Sequence, residues 1–384
     1  MSRFMFVVPP LAGHAHPAAA VARALSERGH EVAWVGSQAL LRPFVGPDAT
    51  VRPTGMRAYR SQMDVGVTAV KSLWDGFVVP FARNMLPAVD DAVHEYRPDV
   101  VVADGLALAG AIVAQRHSLP WATLSGTLEL SQSLKLLPKL DAWVMRQRAT
   151  VWGAAGLPGQ EVRFSPHLVI GFVSRSLMTG VTLPGHVELV GPALADRPDP
   201  PDFPWDWLDP ARRHVLVTVG TLAEDLAAGS TSFYSRAMEA LGSLGNQVQV
   251  IMITAPSVIG DPSEHVLAAE RVPLLTLMPR LDAVVCHGGL NTVCEALAHG
   301  VPLVVAPIRW DQPFNAAQVA ESGAGIRVNF GRVSPDQLRT AVTAVLDDPA
   351  YRGAASRVRD SFAQAGGRHR AADLLERLAL CGVK

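Results

Sequence analysis

Two stretches of this chain combine residue types that a packed core does not require. In CHGGLNTVCEALAHGVPLVVAPIRWDQP, residues 286–313, a histidine, two glycines and Asn-Thr open one helix-forming run. Gly288 and Gly289 permit a tight turn and a close approach of backbone. The helix that follows presents unpaired N–H groups and a partial positive charge, an arrangement suited to an anion. His287 and Thr292 can add donors to the same oxygens. The bland alternative is a strand-to-helix turn capped by Asn291. Asp311 and Gln312 come just past the buried-type run PLVVAPI. A carboxylate beside a carboxamide suits several sugar hydroxyls, although the pair alone would be ordinary in a solvated loop.

The second stretch is GHAHP, residues 13–17, after the apolar run FMFVVP. A His-X-His pair can bind metal, but a site needs three or four ligands. Cys286, Cys294 and Cys381 do not complete one, so a polar loop is the simpler reading. Asp104 closes PDVVVADG, where it could cap the helix beginning LALAGA. The region where the strand ends converge contains no D-x-D triplet of the metal-binding kind.

These residues need elements to hold them. FMFVVP reads as a strand, LAGHAH as a loop, and Pro17 as the first turn of a helix that Gly29 stops. HEVAWVG, VRPTG, PDVVVADG and LPWATLSG continue the alternation of strands with helical runs, which means a parallel sheet covered by helices. GPALADRPDPPDFPWDWLDP, residues 191–210, holds six prolines and several acids and reads as a linker. The pattern then restarts with HVLVTVGT, QVQVIMIT, AVVCHGG, PLVVAPI and GIRVNF, and from SPDQL onward the chain reads as helical. Two Rossmann-like halves are therefore expected. Their bounds are 1–195, a linker 196–212, 213–365, and a final helix 366–384 that packs back on the first half.

Bulk composition narrows the class. Hydrophobic residues make up 49% and charged residues 18%, enough for buried cores. The net charge is -1, so no overall field recruits nucleic acid or an anionic membrane. Three cysteines are too few for a disulfide framework and fit a reducing cytoplasm. No apolar run reaches the ~18 residues of a membrane span. A soluble, cytoplasmic protein is expected, as a monomer or homodimer.

The string H-G-G-x-N-T-x-x-E-A-L-x-x-G-V-P followed by D-Q closely resembles the donor-binding signature of nucleotide-sugar glycosyltransferases of the GT-B fold. More narrowly it is similar to the family-one UDP-glycosyltransferases and their bacterial relatives that decorate macrolides and other natural products. The resemblance covers nearly the whole chain and implies two Rossmann-like domains facing each other across a cleft, acceptor on the first and donor on the second. It implies that His287, Gly288, Gly289, Asn291 and Thr292 meet the diphosphate, that Glu295 approaches the ribose, and that Asp311 and Gln312 hold the sugar. The base would pack near Val272, and VTVGT, residues 217–221, resembles the family's glycine-turn loop with Thr218, Gly220 and Thr221.

The family's G-H-x-x-P falls on Gly13, His14 and Pro17, which implies Gly13 beside the nucleotide and His14 as catalytic base. An unperturbed pKa near ~6.5 lets a neutral imidazole take a proton at cellular pH. Asp104 matches the family's orienting aspartate, and His16 stands where the family often has asparagine. The implied reaction is inverting and metal-independent, with a UDP- or dTDP-sugar as co-substrate and no further cofactor. The implied acceptor is a hydrophobic polyketide, macrolide or aromatic alcohol, lined by Trp74, Phe77, Phe81 and Trp143. Two other classes share the architecture: a nucleotide-sugar epimerase and a silent nucleotide-sugar-binding module. His14 with Asp104 argues against the second, and the apolar N-terminal segments argue against the first.

Overall fold

Alternate side chains of the central strands are buried on opposite faces, as parallel sheets covered on both sides require. In β1 (Arg3–Val7), Phe4 and Phe6 join a core with Val100 and Val102, while Met5 and Val7 join another with Val101 and Ala103. This computed structural model describes residues 1–54, 64, 66–125, 137–194, 200, 202–220, 227–260 and 263–382. The first sheet continues with β2 (Glu31–Gly36), β3 (Thr50–Pro53), β4 (Val100–Asp104), β5 (Trp121–Ser125), β6 (Leu168–Gly171) and β7 (Val187–Leu189). Its order is β3-β2-β1-β4-β5-β6-β7. The second sheet contains β8 (Arg213–Thr218), β9 (Val248–Ile253), β10 (Val266–Ala269), β11 (Ala283–Cys286), β12 (Leu303–Val305) and β13 (Gly325–Arg327), in the order β10-β9-β8-β11-β12-β13. Every pairing is parallel.

In each sheet the chain winds outward and then returns to the other side of its first strand. The reversal lies between β1 and β4 in the first sheet and between β8 and β11 in the second. Ligands of such sheets gather outside the strand C-termini at this point. An apolar cluster joins the two halves, with Val169, Val173, Leu177 and Val187 packed alongside Leu216, Val284, Leu303 and Phe362. The final helix, Gly367–Cys381, puts Ala371, Ala372, Leu374 and Leu375 into the core beneath Phe4 and Phe6. Arg28 grips it through Asp373 and Glu376.

Several expectations change. The helix after β1 runs Ala12–Glu27, so GHAHP lies inside it and Pro17 is an interior residue. The rule placing proline in the first turn concerns only the missing N–H, and here another group serves the carbonyl left unpaired. The Pro-rich stretch is not merely a spacer: Phe203 and Leu208 enter the cluster joining the halves, and Arg280 lies 4.6 Å from the Trp205 ring. Strands β6, β7 and β10 were absent from the pattern read above. Trp74, Phe77 and Phe81 belong to the core beneath β1 and β4, at most 2% exposed, so none offers a face to a cleft. Trp143 is half-buried at the edge of that core, 5.8 Å from Lys71 Nζ. Among the described residues no helix is long and apolar enough to cross a membrane.

Candidate active site

Both switch points carry the polar residues singled out from the sequence. His14 lies in the first turns of the helix after β1, and Asp104 ends β4. Their pairing puts His14 Nδ1 2.8 Å from Asp104 Oδ2. Asp104 is buried, and its other oxygen accepts from Leu106 N at 2.9 Å. It therefore holds the turn and the histidine at once. His16 points elsewhere, packing at 4.4 Å on the Phe44 ring.

On the second sheet the local chain is shaped around the ring of His287, which follows β11. A Cβ on Gly220 would lie 2.5 Å from His287 Cε1, and one on Gly289 would lie 2.5 Å from Nε2. Both positions must be glycine because the imidazole occupies that space. Gly288 has φ +85°, and a Cβ there would meet Val305 Cγ1 at 2.8 Å. Burial, helped by the charge of Arg309, pushes the His287 imidazolium down to about 4, so the ring is neutral near pH 7. Its Nδ1 is sealed from solvent without a hydrogen-bond partner. Thr218 is buried at the end of β8, where its hydroxyl accepts from Gly220 N at 3.2 Å. Thr221 lies outside the described residues.

The helix Leu290–Ala298 begins after Gly289, which provides no side-chain cap. Asn291 is thus not the cap residue but stands in the first turn, where the backbone N–H groups of Leu290, Asn291 and Thr292 lack intrahelical partners. Its side chain crosses to the other half of the molecule, Nδ2 donating to Gly13 O at 3.0 Å. Glu295 is buried one turn further on, and Val272 is partly buried against the cluster joining the halves.

After β12 the loop is stapled by Gln312, whose Oε1 accepts from Ile308 N and Arg309 N, both at 2.9 Å. Gln312 is buried and half its carboxamide is committed to backbone, a structural duty the sequence did not reveal. Asp311 is capped differently. Asn315 Nδ2 donates to Asp311 Oδ2 at 3.0 Å and to Gly288 O at 2.9 Å, tying this loop to the glycine turn. Burial raises the Asp311 carboxyl above the usual range, while Asn315 and the nearby charge of His14 pull the other way. His14 is the smallest of these influences, and it comes from the opposite sheet.

Sequence reasoning missed three residues here. Asn315 is one turn past Asp311, at a spacing that could have suggested contact. Trp310 adopts φ +56°, rare for a bulky side chain, and the buried Arg309 guanidinium lies 4.1 Å from its ring. No sequence signal announces that strain. Thiol chemistry has no place in the site: burial pushes Cys286 and Cys294 up to about 12. Among the described residues, the group able to hold a metal ion is Asp90, His94 and His117, at the other end of the helix Leu108–Arg116 from Asp104.

Known proteins resemble this chain throughout its length. Residues 235–376 match the family described as Erythromycin biosynthesis protein CIII-like, C-terminal domain. The 4'-demethylrebeccamycin synthase of Lentzea aerocolonigenes is 30% identical over 98% of this chain and 99% of its own. The crystal structure of the glycotransferase of kitacinnamycin superposes with a TM-score of 0.79 at 26% identity, covering 98% of each chain. A spinosyn rhamnosyltransferase, SpnG, complexed with thymidine diphosphate, shares the fold at a TM-score of 0.77 and 20% identity, covering 98% of this chain and 100% of its own.

Proposed function

The chain belongs to the bacterial natural-product glycosyltransferases of GT-B fold, and from that premise we propose how its residues divide the work of transfer. The names of its relatives favour transfer over the epimerase and silent-sensor readings. In our reading a hexose or deoxyhexose leaves a dTDP- or UDP-sugar for the hydroxyl of a hydrophobic natural product. His14 Nδ1 is engaged by Asp104, so the acceptor proton goes to Nε2 while the buried carboxylate stabilises the imidazolium that forms. The acceptor oxygen bonds to the anomeric carbon from the face opposite the diphosphate. The bond from carbon to phosphate oxygen breaks with its electron pair, and the configuration inverts.

The nucleoside diphosphate would meet the N–H groups of the helix Leu290–Ala298, with Thr292 and the neutral His287 as further donors. Gly220 and Gly289 then serve by admitting the imidazole. Asp311, with Asn315 holding one oxygen, would accept from sugar hydroxyls, and Gln312 would contribute through Nε2. Departure of the diphosphate needs no divalent ion in this scheme. Thymidine diphosphate, held by SpnG, is the nucleotide to try first.

The single observation carrying this reading is that the turn bearing His14, itself paired with Asp104, is joined to the first turn of the helix Leu290–Ala298 by the hydrogen bond from Asn291 to Gly13 O. Mass spectrometry of the protein with a panel of nucleotide sugars and hydrophobic alcohols tests it. A product heavier by one glycosyl unit, formed equally in excess EDTA, is the expected result. Transfer abolished by EDTA and restored by Mg²⁺ or Zn²⁺ would refute metal independence, and donor conversion without acceptor would point to the epimerase.

A further inference from the structure

Asn291 stands in the first turn of the helix at the diphosphate end of the site, yet its amide is spent on the other half of the chain. Its partner, the Gly13 carbonyl, belongs to the first turn of the helix Ala12–Glu27, beside His14. In an α-helix that carbonyl would accept from the N–H of the fourth residue on, which here is Pro17. Proline has no N–H, so the acceptor is left for a donor outside the helix. Two features far apart in sequence, an interior proline and a first-turn asparagine, thus converge on one oxygen.

We propose that Asn291 is a positioning residue that latches the base-bearing helix onto the donor-side helix through the Gly13 carbonyl opened by Pro17. The inference rests on the reading of His14 as base, and it gives Asn291 a different partner from the phosphate oxygens that family resemblance implies. Gly13 and His14 are consecutive in one helical turn, so a grip on the carbonyl of the first fixes where the second stands relative to the donor. The latch also couples the halves: a donor that orders the start of the helix Leu290–Ala298 orders the base through the same side chain. Gly13 need not be glycine on steric grounds, since a Cβ there would come only to 3.7 Å from Asn291 Nδ2.

The test compares Asn291→Ala, Pro17→Ala and the double variant. Three measurements are made on each: calorimetric affinity for thymidine and uridine diphosphate, hydrogen exchange of residues 10–20, and turnover of the pair found by mass spectrometry. Asn291→Ala should lower turnover about three- to tenfold, the scale of one net hydrogen bond. It should speed exchange in the 10–20 segment and leave nucleoside diphosphate affinity within about twofold, a change of under ~0.5 kcal/mol. Pro17→Ala restores a competing N–H and should lower turnover by less. In the Asn291→Ala background it should lower turnover no further, because both changes act through one carbonyl. Nucleoside diphosphate affinity falling in step with turnover would make Asn291 a phosphate ligand and overturn the latch. Unchanged exchange, or full additivity of the two substitutions, would overturn it as well. Hydrogen exchange requires no turnover, so the latch can stand if His14→Ala proves active, and can fall while the base assignment holds.

Discussion

The two switch points are built in opposite ways. The first sheet offers a pair of side chains, His14 and Asp104, joined by one 2.8 Å contact, with Asp104 also held by Leu106 N. The second sheet offers a cradle in which the backbone is shaped by exclusion: Gly220 and Gly289 make room for an imidazole, Gly288 for Val305, and Asn315 and Gln312 staple the loops together. Proton transfer needs one correctly aimed group, whereas holding a large anionic donor needs many backbone groups at fixed spacing. Substitutions in the first region should therefore cost turnover, and those in the second should cost binding and stability.

The largest effect tests the first region. His14→Ala should lose roughly 10²–10⁴-fold in turnover, the usual worth of general base catalysis. His16→Ala should be much milder because that ring packs on Phe44. Near wild-type turnover of a folded His14→Ala protein would break the comparison.

Next comes a stability effect particular to the cradle. An unfolded histidine takes up its proton near ~6.5, but His287 in the folded protein does so only near about 4. Between those values the unfolded chain binds more protons, so stability falls as the pH is lowered through this window. The contribution reaches up to about 3 kcal/mol at the acid end. Denaturant unfolding of wild type and His287→Asn should show a shallower acid loss in the variant, and parallel curves would mean that His287 titrates normally.

Asp311→Asn should cost about 1.5–3 kcal/mol in transfer while leaving nucleoside diphosphate affinity nearly unchanged, as expected for a charged hydrogen bond to sugar. Kinetics and calorimetry on the same preparation separate the two quantities. Gly220→Ala should cost about 1–3 kcal/mol of stability through the His287 ring, read as a lowered midpoint in urea. Gln312→Ala should show the smallest loss of transfer, about 0.5–1.5 kcal/mol, accompanied by faster hydrogen exchange at Ile308 and Arg309, which its Oε1 holds.

β1, β4, β8, β11 and β12 were plain from their continuous apolar runs, and the residues at their ends gained roles through the family motif, since taken alone they read equally well as a polar loop, a helix cap and a strand-to-helix turn. β6, β7 and β10 are three or four residues long, no shorter than β11 and β12, but β7 and β10 mix their apolar residues with Glu188 or with small alanines and so did not stand out as buried runs. The start of the helix at Ala12 was hidden by Pro17, whose lost hydrogen bond is replaced from residue 291. Trp74, Phe77 and Phe81 were placed along an acceptor face because the resemblance puts that cleft in the N-terminal segments, yet resemblance of a segment does not say which way each side chain turns, and all three face the core. The double duty of Gln312 and the strained backbone of Trp310 are tertiary facts with no local signature.

The central claim is that the proton chemistry and the donor site belong to different halves of the chain. Calorimetric titration of nucleoside diphosphate, thymidine or uridine as the wild type prefers, into wild type, His14→Ala and Gly220→Ala tests it most directly. His14→Ala should stay within about twofold of wild type, and Gly220→Ala should be weakened by about tenfold or more, a loss of ~1.4 kcal/mol. Equal weakening by both substitutions, or an affinity untouched by Gly220→Ala, would contradict it.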